Sequence, residues 1–267
     1  MMNERIFSNV TKYWLASSWI LVLLLSVTSI LVIIPSSFFD NPDNILNTLF
    51  VKWAWGWTMY SLLPAVVVVS WAIGDDFRQN SLRAALKIVL FGSTGWFLGT
   101  QLTFKIGDYT GTCVDSNLSE VSSFGTKRLC RSNGHTWDYF DISGHTFLLS
   151  WSVYIIIAEL LEPAREFFKK THSFLLEVIT LLAIVWNGLL VILWILMLVS
   201  TQLYFHTIGE KILAKFLADV FFVLYRLAGE LVNRLLPLTK GRSGECFISE
   251  TKPITSNKTK QKHENEN

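Results

Sequence analysis

Apolar residues fall along this chain in long uninterrupted runs, and those runs predict its elements. Tyr13 to Ile34 contains no charged residue at all. A helix needs roughly 20 mainly apolar residues to cross a bilayer core, so this run predicts a first span. A second is predicted from about Leu49 to Ile73, with Trp53, Trp55 and Trp57 clustered at one end beside Lys52. Tryptophans so placed suit an interfacial belt, with Lys52 reaching to the headgroups. Ala84 to Phe104 predicts a third span with Lys87 and Lys105 near its ends, and Gly144 to Leu161 a fourth, closed by Glu162 and Pro163. Phe174 to Val199 is the fifth and the most hydrophobic. A sixth, from about Leu203 to Tyr225, carries His206, Glu210, Lys211, Lys215 and Asp219 beside an apolar row of Ile208, Ile212, Phe216, Val220 and Leu224. Such a helix can span only with its polar side against protein or water. Lys215 and Asp219, four apart, can neutralise each other there.

The pattern predicts an all-α polytopic membrane protein: a six-span domain over 1–236 and a polar, Lys-rich, disordered tail over 237–267. Composition agrees. Of 267 residues, 51% are hydrophobic and 16% charged, where a soluble domain carries about a quarter charged. That excludes a disordered chain, a nucleic-acid binder and an ordinary soluble enzyme. The first apolar run is too long for a cleaved signal and has no small-residue cleavage site after it, so it is expected to stay as an anchor.

Charge sets the orientation. With the N-terminus cytosolic, sixteen Lys and Arg residues lie in cytosolic segments and five, Lys52, Lys105, Lys127, Arg128 and Arg131, on the opposite side. The positive-inside rule then places both termini in the cytosol. The loop from about Ile106 to Ser143 becomes lumenal. It holds Cys113 and Cys130, which an oxidising lumen would join, the alternative being two unpaired thiols. It also holds the sequon Asn117-Leu118-Ser119, an expected N-glycosylation site; Asn9 and Asn257 head sequons on the cytosolic side and stay unmodified.

Of five histidines, His263 falls in the tail and His172 follows Lys169-Lys170, and both read as solvated. His135, in the lumenal loop, is ambiguous. His145 and His206 open the fourth and sixth spans, so the topology places both at the lumenal face. Ser143 is positioned as an N-cap, leaving N–H groups of Gly144 and His145 free for a phosphate. Glu210, four residues after His206 on one helix face, can hold one imidazole nitrogen as donor and free the other. This set suits phosphoryl transfer, one histidine attacking phosphorus and the other protonating the leaving oxygen. The bland alternative is a pair of interfacial histidines bonded to headgroups, with Glu210, Lys211, Lys215 and Asp219 as a structural network. No HExxH, carboxylate cluster or CxxC spacing accompanies them, so no metal or other cofactor is expected.

The run Asp141-Ile142-Ser143-Gly144-His145-Thr146-Phe147-Leu148-Leu149, followed by Tyr204-Phe205-His206 and Glu210-Lys211, resembles the fat-storage-inducing transmembrane family, itself similar to the lipid phosphate phosphatase superfamily. The resemblance implies a lipid-phosphatase-like helical bundle in the endoplasmic reticulum. In it His145 is the general acid, His206 the nucleophile oriented by Glu210, and Ser143 and Gly144 bind phosphate. It further implies cleavage of fatty acyl-CoA to acyl-4′-phosphopantetheine and adenosine 3′,5′-bisphosphate, supporting lipid droplet formation and lipid balance in that membrane. The sequence departs from the superfamily in its cations. Ser200 stands where an arginine precedes the nucleophile by six residues, and no Lys-x6-Arg-Pro motif occurs. Lys105, Arg128 and Arg131 are the available replacements. A reading of a different class is a non-enzymatic protein that binds diacylglycerol or triacylglycerol through aromatic spans, such as Trp96, Phe97 and Trp194. A transporter ranks third, since no internal repeat or paired broken helices are evident.

Overall fold

A computed structural model describes residues 9–73, 77–117, 119–121, 123–164 and 174–235. The predicted disordered tail and the segment holding Arg165, Lys169, Lys170 and His172 lie outside these residues. The first apolar run forms α1 (Asn9–Leu31). A short α2 (Ile45–Leu49), capped by Asn44, leads through one 3-10 turn into α3 (Ala54–Ile73). Next, α4 (Phe77–Leu86) continues through a π-helical turn at Lys87–Gly92 into α5 (Ser93–Thr110). A small extramembrane module follows. Its strands β1 (Thr112–Val114) and β2 (Thr136–Asp138) pair antiparallel, with α6 (Lys127–Ser132) between them. The remaining helices are α7 (Gly144–Ile156), which runs on in a π-helical turn to Leu161, α8 (Phe174–Tyr204) and α9 (Ile208–Leu235).

The chain is thus an all-α multi-pass membrane protein, with the two-stranded hairpin as its one addition among the described residues. Four helical stretches there are long and apolar enough to cross a membrane: Asn9–Leu31, Ile45–Trp71, Gly144–Ala164 and Phe174–Tyr204. The third and sixth predicted spans are helical, but are not among those four.

Helix α7 is the axis of the bundle. Every residue from Thr146 to Ile156 is buried, and α3, α5, α8 and α9 all pack on it. Its aromatic side chains need room, and glycines on α5 provide it. A Cβ at Gly95 would fall 2.6 Å from the Trp151 ring, and one at Gly99 would collide with Phe147. Trp151 and Phe147 stack in parallel against this smooth face, their centroids 6.4 Å apart.

Helix α9 resolves the problem of its own charges by turning them inward. Lys211 and Lys215 are buried, whereas Phe216, Val220 and Leu224 of the apolar row face outward. Lys215 Nζ donates to Tyr154 Oη and to Asp219 Oδ1, each at 2.6 Å, and Trp19 Nε1 donates to Asp219 Oδ2 at 2.6 Å. The expected Lys215–Asp219 pair therefore exists and is embedded in a three-helix network. Lys211 Nζ donates to the Gln202 carbonyl at 2.7 Å, fastening α9 to the end of α8. At the opposite end of the bundle, Lys87 pairs with Glu159 at 2.8 Å and Arg226 with Glu162 at 3.1 Å. Glu162 also accepts from the Thr11 hydroxyl. These partners satisfy charges that lipid could not.

Candidate active site

The two histidines reach the same cavity by different local devices. Helix α7 starts at Gly144 because Ser143 caps it: Ser143 Oγ accepts from the Thr146 N–H at 3.3 Å. The same hydroxyl lies 2.9 Å from Thr146 Oγ1. Ser143 is fully buried, so its hydroxyl is committed to the cap. Gly144 and His145 line the cavity and Ser143 does not.

His206 does not open a helix. Helix α8 ends at Tyr204 and α9 begins at Ile208, so His206 occupies the turn between them. Its φ of 61° lies in the left-handed region, where a side-chain-bearing residue sits at a cost of about 1–2 kcal/mol. One half of a capping box sets this later start. The Thr207 carbonyl accepts from the Lys211 N–H at 3.2 Å, which makes Thr207 the N-cap, and Glu210 at the third helical position returns its Oε2 to the Thr207 N–H at 2.7 Å. Glu210 therefore approaches His206 through the cap rather than along a shared helix face.

Glu210 also ties the two segments together. Its Oε1 accepts from the Asp141 N–H at 3.0 Å, and its backbone oxygen accepts from the Ser143 N–H at 3.4 Å. One buried residue thus clips the turn carrying His206 to the strand-to-helix approach carrying His145. His206 Nδ1 lies 3.7 Å from Glu210 Oε2 and 3.7 Å from Asp141 Oδ2, between two carboxylates. Asp141 was visible in the motif, but its facing of His206 was not. Below the site, Gln202 Nε2 donates to Thr146 Oγ1 at 2.8 Å, and Gln202 Oε1 accepts from the Ser26 hydroxyl at 3.2 Å, bracing α8 and α1 against α7.

The cavity has a volume of about 610 Å³. Its lining is mixed: His145, His206, Asp141, Tyr139, Lys52 and Lys127 are polar or charged, and Trp96, Phe97, Phe104 and Leu148 are apolar. Lys127 Nζ sits 4.4 Å over the Tyr139 ring and 3.9 Å from Asp108. Burial, together with the Asp141 carboxylate it bonds, raises the Tyr139 hydroxyl above its ordinary range. Tyr139 therefore stays protonated and can donate.

The cations differ from those expected. Lys105 lines neither this cavity nor its neighbour, and Arg128 and Arg131 line the neighbour. Lys52, read from the sequence as a headgroup anchor, is half-exposed, lies 3.9 Å from Asp43 and also lines the histidine cavity, where Lys127 is the second cation. Only the convergence of α2–α3 with the extramembrane loop brings these lysines together, and no local sequence signal marks that convergence. Cys113 and Cys130 are joined, with Cα atoms 5.6 Å apart, which ties β1 to α6 and so fixes the loop bearing Lys127. Trp96 and Phe97 line the histidine cavity, whereas Trp194 is buried, its Nε1 donating to Thr58 Oγ1 at 3.2 Å.

Fold and cavity define a helical membrane protein with a two-histidine site at one end of its bundle. The chain belongs to the fat storage-inducing transmembrane protein family, whose model matches residues 35–182, a stretch that includes His145 and ends before His206. It is similar to the acyl-coenzyme A diphosphatase FITM2 of Danio rerio, 37% identical over 183 residues that cover 68% of this chain and 69% of that protein. The FITM2 of Homo sapiens is 32% identical over 181 residues, covering 67% and 68%. That of Drosophila melanogaster is 27% identical over 227 residues, covering 73% and 52%. No solved structure is significantly similar to the chain.

Proposed function

We propose that the chain is an acyl-CoA diphosphatase of the endoplasmic reticulum membrane, cleaving fatty acyl-CoA to acyl-4′-phosphopantetheine and adenosine 3′,5′-bisphosphate. The observation that carries the reading is the shared cavity: His145 and His206 line it together with Lys52, Lys127 and the aromatic side chains of Trp96, Phe97 and Phe104. The acyl chain lies along Trp96, Phe97 and Phe104. The pyrophosphate rests among Lys52, Lys127 and the Gly144 N–H, whose presentation depends on the Ser143 cap. His206, held at Nδ1 by Glu210 and Asp141, attacks phosphorus through Nε2. An N–P bond forms as the anhydride P–O bond breaks. His145 gives a proton to the departing oxygen. Water then attacks the phosphohistidine, with His145 accepting its proton, and His206 is released. The cations and the N–H groups offset the charge that builds on the phosphoryl oxygens. No metal or other cofactor enters this scheme.

Six spans with both termini cytosolic, the cavity lumenal and Asn117 glycosylated complete the reading. The Lys and Arg distribution and the Cys113–Cys130 disulfide support it. A role in lipid droplet formation and lipid balance follows from consuming acyl-CoA at that membrane. The test follows release of adenosine 3′,5′-bisphosphate from long-chain acyl-CoA by purified protein in nanodiscs. Wild type is expected to be active, and His145→Ala and His206→Ala to lose roughly 100-fold or more. Equal activity in a folded double variant would end the proposal. A second reading, binding of diacylglycerol or triacylglycerol without catalysis, draws on a separate apolar cavity of about 720 Å³ between α3 and α8. Its one polar pair, Ser61 donating to Asn187 Oδ1 at 2.9 Å, suits a lipid ester or hydroxyl. That reading tolerates both histidine changes.

A further inference from the structure

Beside the histidine cavity, and sharing Lys127 with it, lies a second cavity of about 480 Å³. Its polar lining is Lys127, Arg128 and Arg131 against a single carboxylate, Asp108, with Trp137 as an aromatic wall. Asp108 is matched by Lys127 at 3.9 Å, and among the described residues neither arginine forms an ion pair. The cavity therefore carries a net surplus of two guanidinium groups. Nothing in the proposed hydrolysis at His145 and His206 uses them.

We infer that this second cavity is the subsite for the 3′-phosphate of the coenzyme, so that Arg128 and Arg131 set selectivity for acyl-CoA over chemically similar anhydrides. This inference rests on the acyl-CoA reading. Three observations converge on it. Guanidinium groups match a phosphate monoester in charge and in fork geometry. Lys127 borders both cavities, so a ligand bridging them presents one anionic group to each. The two cavities together also offer what the substrate carries: aromatic side chains for the acyl chain, histidines for the anhydride and arginines for the phosphorylated nucleoside. The Cys113–Cys130 bond and the β1–β2 pairing hold α6, and with it both arginines, against the histidine cavity.

The experiment compares long-chain acyl-CoA with its 3′-dephospho analogue, using full-length wild type and Arg128→Ala/Arg131→Ala in nanodiscs. In wild type the ratio of kcat/KM for the two substrates is expected to favour acyl-CoA about tenfold or more, the scale of one or two charge-assisted bonds, and to do so through KM. In the double variant the ratio falls toward one, and Arg128→Lys/Arg131→Lys restores it in part. Equal use of both substrates by wild type, or an unchanged ratio in the variant, overturns the inference. A second arm measures binding of adenosine 3′,5′-bisphosphate against adenosine 5′-monophosphate to His145→Ala, where hydrolysis is not needed. Preference for the bisphosphate, lost on removing the arginines, supports the subsite even if the catalytic roles fail. A third arm adds anionic phospholipid to the nanodiscs. If the arginine variants change only the response to that lipid, the cavity holds a headgroup and the inference is overturned.

Discussion

Glu210→Ala is the most informative single change, because one carboxylate serves both segments of the site. It would remove the acceptor for the Thr207 N–H at 2.7 Å and for the Asp141 N–H at 3.0 Å. An orphaned buried donor costs about 1–3 kcal/mol. Both donors are only part-buried, so water repairs some of the loss and the total is about 2–3 kcal/mol. For a chain of this size that corresponds to a fall in Tm of roughly 5–10 °C. Glu210→Gln keeps one carbonyl acceptor and should lose about half as much. The imidazole of His206 loses one of its two carboxylate neighbours and its fixed turn. By analogy with carboxylates behind functional imidazoles, kcat/KM should fall about 10- to 100-fold. Thermal unfolding in detergent and acyl-CoA hydrolysis in nanodiscs measure the two effects separately. Wild-type Tm and wild-type activity in Glu210→Ala would refute the clip. A lowered Tm with full activity would confine Glu210 to architecture.

Three further outcomes are expected. Gly99→Leu would drive a side chain into the Phe147 ring and part α5 from α7, costing about 1–3 kcal/mol, read as lowered Tm and loss of a monodisperse peak in size-exclusion chromatography. Lys215→Met would leave the half-buried Asp219 against Tyr154 and Trp19 without its cation, a loss of up to about 3 kcal/mol. Lys215→Met/Asp219→Leu should recover much of it, and a double variant no more stable than the single one would show that the loss does not come from the unpaired carboxylate. Cys113→Ser opens a covalent loop of sequence separation 17, worth about 3 kcal/mol by loop entropy. It should expose the segment around α6 to limited proteolysis, whereas unchanged cleavage would show that the hairpin alone holds it.

The helices were legible because each apolar run is longer than a soluble helix needs and ends at charges or tryptophans. Their ends were less so. The start of α9 lies at Ile208 rather than near Leu203, although Thr207-x-x-Glu210 is a capping box readable in the sequence and would have moved it. The strand pair leaves no mark in the sequence because three-residue strands carry no usable periodicity. In the site, His145 and His206 could be put at one depth by counting spans. The facing of Asp141 toward His206, and the placing of Lys52 and Lys127 on the same cavity, depends on how separate segments converge in space. Burial of Ser143 was hidden for a related reason, since an N-cap serine can turn its hydroxyl toward its own helix or toward a ligand without any change in sequence.

The mixed lining of the histidine cavity has a consequence for what happens after bond cleavage. In the proposed reaction the two halves of the substrate leave to different phases. The nucleotide half is released to water, where dilution carries it away. The acylated half stays in the lipid phase, where dilution is limited to two dimensions. Reversal would require both to meet again at one point across a phase boundary, so separation of the products adds to a hydrolysis that the anhydride's own free energy already drives. It also predicts asymmetric product inhibition: the membrane-retained product should accumulate at the enzyme and compete with substrate, while the water-soluble one should have little effect until its bulk concentration is high.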